Sequence, residues 1–356
     1  MRSQTQLSST STTTSAELPE GAPLRDERRT YMRGRVAGRP STVSEDSLPN
    51  ARISVEAAGL HFQNPVVLAA GTAAFGREIA GVIQLDALGG LVTKAVSRLP
   101  RHGARPPRVA EFPGGMINAV GLANPGLEAV RRADLPWLAE NVHRARVFVN
   151  VVGDVVEDYA AVVAGLDDAP GIDGFELNVS CPNVERGGLE FCADLCTLSD
   201  VVRGARSATK RPLFVKLSPV LRDIAESASA AVDAGADGIT LVNTLPGLVV
   251  DVGTRRPALG FGTGGVSGAA LLPVGVLATW KVHRAVRVPI LGIGGVASAA
   301  DALQYLIAGA SLVGVGTAAL RDPRAPERIA RDLLRWCERE GIGSIAEITG
   351  RLEWPA

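Results

Sequence analysis

Cysteine is scarce in this chain: Cys181, Cys192, Cys196 and Cys337 are the only four among 356 residues. So few cannot form the disulfide framework of a small secreted domain, which points to a reducing, cytoplasmic setting. Histidine is as rare, and His61, His102, His143 and His283 are scattered. Cys192 and Cys196 are spaced C-x-x-x-C but lack a second ligand pair, so no metal site is expected. Net charge is absent too, with 37 basic residues balancing 37 acidic ones. That excludes the basic footprint of a nucleic-acid or anionic-membrane binder and leaves a small molecule as the expected partner. No long apolar run or secretory leader is visible, so no membrane span is expected. Aromatics make up only 4% of the residues, whereas 46% are hydrophobic and 40 are glycine. Such a chain builds its core from Val, Ile, Leu and Ala and turns tightly, as α/β proteins do.

Residues 1–50 are rich in Ser, Thr and Arg, lack apolar periodicity and are expected to form a disordered tail. From there, residues 51–356 repeat one pattern: a short apolar run, a glycine or polar turn, then an amphipathic stretch. The runs Val66–Gly71, Gly90–Ala95, Val147–Val152, Gly174–Ser180, Leu213–Leu217, Gly238–Asn243, Pro289–Gly294 and Leu312–Gly316 read as strands. Between them, Glu78–Leu88, Val156–Leu166, Leu198–Thr209, Asp223–Ala234, Ala269–Ala285, Ser298–Ala308 and Pro326–Glu340 read as helices. Ala234-Gly235 and Ala308-Gly309 read as helix C-caps. Eight parallel strands, each followed by a helix, close most economically into a TIM (β/α)8 barrel. The dinucleotide-binding form of an open sheet has no support, since no G-x-G-x-x-G follows the first strand. The stretch from Ser97 to Gly126 is too long for an ordinary loop and is expected over the barrel mouth.

In a barrel the chemistry lies at the carboxyl ends of the strands. Those ends carry Gly71-Thr72, Thr93-Lys94, Asn150, Asn178 through Asn183, Lys216, Asn243-Thr244, Gly294-Gly295 and Gly316-Thr317. Recurring amides and ammoniums suit a planar ligand rich in carbonyls and ring nitrogens. Lys94 and Lys216 end apolar strands, where a lysine is costly unless it meets an anion or a carbonyl or snorkels to water. The Gly-Gly and Gly-Thr ends of the last two strands let backbone N–H groups approach a phosphate, although a glycine pair alone is often only a turn. The run Gly262-Thr263-Gly264-Gly265-Val266-Ser267-Gly268 adds amides to that group or forms a flexible lid. Cys181 is followed by Pro182 and flanked by Asn178 and Asn183. A lone cysteine is more often a small buried apolar side chain; two amides beside it make it a candidate base in a substrate cradle. Cys192, Cys196 and Cys337 lack such company and read as structural.

The motifs Asn64-Pro65, Ala70-Gly71-Thr72, Thr93-Lys94, Pro107-Arg108, Asn118-Ala119-Val120-Gly121-Leu122, Asn124-Pro125-Gly126, Asn178-Val179-Ser180-Cys181-Pro182-Asn183, Lys216 and Asn243-Thr244, with both glycine pairs, carry a family resemblance. From about residue 52 to 345, the chain resembles the class 1 dihydroorotate dehydrogenases, FMN enzymes of pyrimidine synthesis. The resemblance implies oxidation of dihydroorotate to orotate, with Cys181 removing the C5 proton and hydride passing from C6 to the flavin. It implies that Lys94, Asn118, Val120, Gly121, Leu122, Asn178, Asn183, Asn243 and Thr244 hold the substrate. It implies that Ala70, Gly71, Lys94, Asn150, Asn178, Lys216, Ser267, Gly268, Gly294, Gly295, Gly316 and Thr317 hold FMN. A homodimer is implied, and the acceptor is fumarate or NAD reached through a subunit carrying FAD and an iron–sulfur cluster. Ile117 through Leu122 and Glu185-Arg186-Gly187-Gly188 resemble the NAD-linked group, class 1B. Two departures stand out: Gly103-Ala104-Arg105 where the family has Gly-Asn-Pro, and Pro246 after Asn243-Thr244-Leu245. They keep open a dihydropyrimidine dehydrogenase-like or specialised oxidoreductase acting on another ring. A flavin-binding subunit without turnover is the remaining alternative.

Overall fold

Side chains that alternate between two apolar layers organise the fold, which a computed structural model describes over residues 51–180, 182–183, 189–190 and 194–355. The barrel strands are β1 (Val66–Leu68), β2 (Gly90–Val92), β3 (Arg146–Val151), β4 (Gly174–Asn178), β5 (Leu213–Leu217), β6 (Gly238–Leu241), β7 (Ile290–Ile293) and β8 (Leu312–Val315). Each pairs in parallel with its sequence neighbours, and β8 pairs with β1 to close the barrel. Several strands stop one to three residues before the apolar runs do.

Helices α1 (Leu135–Asn141), α2 (Val156–Leu166), α3 (Leu195–Ser207), α4 (Ile224–Asp233), α5 (Leu272–Ala285), α6 (Ala299–Ala308), α7 (Thr317–Arg321) and α8 (Ala325–Glu340) follow the strands. Left-handed Gly309 ends α6, as its sequence position implies, and a capping box of Ser298 and Asp301 starts it. The helix expected over Glu78–Leu88 does not form; turns fill it, with one 3₁₀ turn at Leu85–Ala87. Tertiary hydrogen bonds tie the end of this segment to neighbouring elements. Gln63 Nε2 donates to the carbonyls of Asp86 and Leu88, Asn64 Nδ2 to that of Ala87. The Asp86 carboxylate accepts from the backbone N–H groups of His143, Arg144 and Ala145.

Outward side chains of the strands join the helices in the larger core, and inward ones fill the barrel. Below, a hairpin of Val55–Ala57 and Leu60–Phe62 closes the amino end. Phe62 stacks on Phe148 at 6.4 Å, and Phe148 meets Phe214 edge-on at 5.2 Å. Burial of each such ring is worth roughly 2–3 kcal/mol. Gly238 is required here, since a Cβ would stand 2.5 Å from the Phe214 ring. The barrel is thus plugged from its base to its middle.

At the carboxyl end two inserts build a four-stranded antiparallel sheet, in the order Leu245–Gly247, Gly264–Ser267, Gly115–Asn118, Val109–Phe112. One insert follows β2 and the other follows β6, so strands distant in sequence meet beside the mouth. The glycine run 262–268 supplies an inner strand of this sheet over Gly264–Ser267 rather than a lid. Pro246 sits on the edge strand, where a missing N–H breaks no ladder. Among the described residues no helix is long and apolar enough to cross a membrane.

Candidate functional site

Inward positions of β3 to β6 turn from apolar to polar toward the mouth. On β4 the alternation puts Glu176 and Asn178 inside, and the pairing sets Phe214 beside Glu176 and Lys216 beside Asn178. Glu176 is 2% exposed; its Oε1 accepts from Asn150 Nδ2 at 2.7 Å and its Oε2 from Thr240 Oγ1 at 2.8 Å. Neither Glu176 nor Thr240 stands out in sequence, although a carboxylate between Phe175 and Leu177 in a buried strand is the available signal. Lys216 is 7% exposed and has no hydrogen bond or ion pair to any described residue. An unpaired ammonium held so deep calls for an anion or a carbonyl acceptor.

One layer higher, Asn243 Nδ2 donates to Asn178 Oδ1 at 3.1 Å, joining the ends of β4 and β6. The Tyr159 hydroxyl fixes the Asn178 carbonyl at 2.9 Å, and the Thr244 N–H donates to Asn243 Oδ1. Asn118 reaches this rim through the sheet, donating from Nδ2 to the Gly265 carbonyl at 3.2 Å, and Gly265 lies against Thr244. Val120, Gly121 and Leu122 form the neighbouring turn, held by the Ala104 N–H donating to the Val120 carbonyl. Arg108 clamps the altered Gly103-Ala104-Arg105 loop by donating to the carbonyls of Ala104 and His102. Asn124, quoted in the resemblance but given no site role there, ties the turn to the end of β2: it donates to Ser97 Oγ and the Leu122 carbonyl.

The ends of β7 and β8 form the third part. Gly294 and Gly295 have φ of 123° and 77°, so only glycine takes this turn without strain. The N–H groups of Gly294, Gly295 and the buried Val296 donate to no described residue, which is rare for buried backbone and fits an anion. Tyr305 donates to the Gly294 carbonyl at 2.8 Å and braces the turn; burial pushes its phenol well above the ordinary range. Thr317 Oγ1 donates to Ser267 Oγ at 2.8 Å, so Ser267-Gly268 of the sheet and Gly316-Thr317 of β8 meet. Ala70 and Gly71 follow β1, where the space around the Gly71 Cα is open. The Gly294-Gly295 turn and the Ser267–Thr317 contact thus both stand at the carboxyl end of the barrel.

Lys94 lines a cavity of about 420 Å³ together with Phe75, Glu78, Pro125 and Asp134. Burial, reinforced by Glu78, raises the Asp134 carboxyl above the usual carboxylate range against the pull of Arg77. Ser180 and Ser218, just past β4 and β5, keep buried hydroxyls with no partner among the described residues. Cys181 and Cys192 lie outside the described residues, and Asn183 is described only by its backbone pairing with Leu189. Of the cysteines expected to be structural, Cys337 is buried in α8, while Cys196 is exposed in the first turn of α3. Thr197 and Leu198 take the inner side of that turn, and Cys196 falls on its outer side and contributes nothing to the core.

A closed parallel barrel with an anion cradle at its last two strands and an unpaired lysine among amides is the architecture of a TIM-barrel enzyme for a phosphorylated cofactor and a planar substrate. Its sequence matches the dihydroorotate dehydrogenase family model over residues 52–336. The chain belongs to that family and is an oxidoreductase acting on a CH–CH group. It is 45% identical over 301 residues to the catalytic subunit of dihydroorotate dehydrogenase B (NAD(+)) of Pelobacter propionicus, covering 85% of this chain and 98% of that one. The corresponding subunit of Desulforudis audaxviator is 46% identical over 299 residues, 84% of this chain and 97% of its own. A Solibacter usitatus relative whose name links it to fumarate, as a form A enzyme, is 48% identical over 296 residues, 83% and 97% of the two chains.

Proposed function

We propose that the barrel mouth oxidises dihydroorotate to orotate with FMN as the bound cofactor and Cys181 as the base. The observation that carries this reading is the convergence of unpaired Lys216, the Asn178–Asn243 pair and the free N–H groups of Gly294 and Gly295 on one rim. FMN, when bound, supplies the two-electron acceptor for the hydride that leaves substrate C6. Gly294, Gly295, Gly316 and Thr317, with Ser267 and Gly268, hold its phosphate; Ala70, Gly71, Asn150 and Lys216 hold the remainder. Lys216 offsets negative charge on the ring. Asn118, Asn178, Asn183, Asn243 and Thr244 hold the substrate, with Lys94 and the Val120-Gly121-Leu122 turn near its carboxylate.

Cys181 lies three residues beyond β4 and takes the C5 proton as the thiolate. Anaerobic addition of dihydroorotate to the FMN-loaded chain is expected to bleach the flavin, and no bleaching at millimolar substrate would overturn the reading. A Cys181→Ser variant is expected to keep FMN and lose most turnover at neutral pH, because a hydroxyl is a far weaker base. Unchanged turnover would remove Cys181 from the mechanism.

For the acceptor, we favour NAD reached through a partner subunit carrying FAD and an iron–sulfur cluster, on a homodimer of this chain in the cytoplasm. The names of the Pelobacter and Desulforudis relatives support this reading, and the fumarate-linked Solibacter name supplies the competing outcome. Rapid fumarate reduction by the chain alone, with no gain of NAD activity on adding a candidate partner, would decide against it.

A further inference from the structure

We propose that Glu176 is a positioning residue, which sets the atoms that Asn150 and Thr240 present to the ring above and counterbalances Lys216. The proposal rests on the FMN reading and goes beyond it. The carboxylate sits where the apolar plug of Phe148 and Phe214 ends and the polar mouth begins. An apolar residue in its place would leave the buried Asn150 amide and Thr240 hydroxyl without their acceptor, so the three side chains form one unit. Among the described residues no arginine, lysine or histidine pairs with it, and its two hydrogen bonds come from neutral donors, Asn150 and Thr240.

Those two donors define what Glu176 does. An amide and a hydroxyl can each donate or accept, whereas a carboxylate only accepts. Asn150, 1% exposed, must therefore turn Nδ2 toward Glu176, which fixes where its Oδ1 points; that oxygen accepts from no described residue. Thr240 is likewise committed as a donor and offers only lone pairs. Glu176 thus fixes the orientation of one ambivalent side chain and leaves the other only its lone pairs, so that both present an acceptor to ring N–H groups.

The second consequence is electrostatic. Strand pairing puts Lys216 two residues beyond Phe214, the neighbour of Glu176, so the buried cation lies one inward layer above the buried anion. They do not form an ion pair, and the lysine stays available to the ligand. The anion moderates the positive field at the ring, which would otherwise favour the reduced flavin more strongly.

The test compares wild type with Glu176→Gln and Thr240→Val, each loaded with FMN, by anaerobic potentiometric titration and stopped-flow reduction with dihydroorotate. Glu176→Gln is expected to shift the oxidised/reduced equilibrium about tenfold toward reduced flavin, about 30 mV for a two-electron couple. Its reduction rate is expected to fall about tenfold or more with KM for dihydroorotate nearly unchanged, because Asn150 is free to flip. A loaded Glu176→Gln with the wild-type potential and rate would overturn the proposal. Should Glu176→Gln fail to fold, Thr240→Val decides, since it removes one donor without altering charge. A several-fold slower reduction at unchanged KM supports the role, and wild-type kinetics overturn it. Wild-type chain that takes up no FMN would instead overturn the functional reading beneath it.

Discussion

Lys216 is the residue at which stability and function are set against each other. Holding an ammonium at 7% exposure without a protein partner costs the fold, so Lys216→Met should raise or preserve the melting temperature of the FMN-free chain. The same variant should slow flavin reduction by about 10²-fold or more, the scale expected when a preorganised charge is removed. Thermal melts and stopped-flow reduction check the two halves separately; a clear loss of stability would mean that the lysine has a structural partner.

Much of this residue scale was legible beforehand. Asn178, Asn243, Thr244 and Lys216 announced themselves as polar groups at the ends of apolar runs, and the structure gathers them at one rim. Glu176, Thr240, Tyr305 and Tyr159 were not assigned a role, because their work is done on other side chains. A residue whose partners lie 26 and 64 positions away, as those of Glu176 do, leaves no local pattern.

At the scale of elements, the accessory sheet delivers Asn118 and Thr244 to the rim, and its fit depends on Gly265. A Cβ there would stand 2.0 Å from Thr244 Oγ1, so Gly265→Val should push Thr244 aside and raise KM for dihydroorotate. Flavin affinity should fall less than substrate affinity, since Ser267 and Gly268 are the sheet's share of a cradle otherwise built at the ends of β7 and β8. Equal loss of flavin and substrate affinity would show that the sheet supports both.

Helix α5 offers a pH test. His283 packs against Gly309 at the end of α6 and against Gly350, and burial, assisted by Arg287, lowers its pKa below the ordinary 6.5. The folded chain therefore holds this imidazole neutral while the unfolded chain protonates it, so the fold loses stability as pH falls below about 6.5. Melting temperatures at pH 7.5 and 5.5 should differ more in wild type than in His283→Gln. Equal differences would mean that other groups govern the acid limb.

For the whole molecule, the catalytic unit is read as beginning at residue 51. The family match starts at residue 52, and Arg52 is tied in by donating to the Ile342 carbonyl at 2.8 Å and accepting from the Ile345 N–H. Removing residues 1–50 should leave the melting temperature and FMN content unchanged. A drop of several degrees would show that the removed residues contribute to the barrel.

Apolar period, glycine stops and strand-end polarity are local properties, so the sequence alone determined the repeating strand–helix order, the barrel and most residues of the rim. It misread Glu78–Leu88 as a helix; that segment forms turns whose end is anchored by Gln63, Asn64 and the backbone of residues 143–145 through tertiary hydrogen bonds. Only the folded chain paired strands from two distant inserts into one sheet, and only it put a carboxylate beneath a lysine that it does not touch. Such arrangements follow from closure of the barrel, which places every inward side chain beside residues that are far away in the chain.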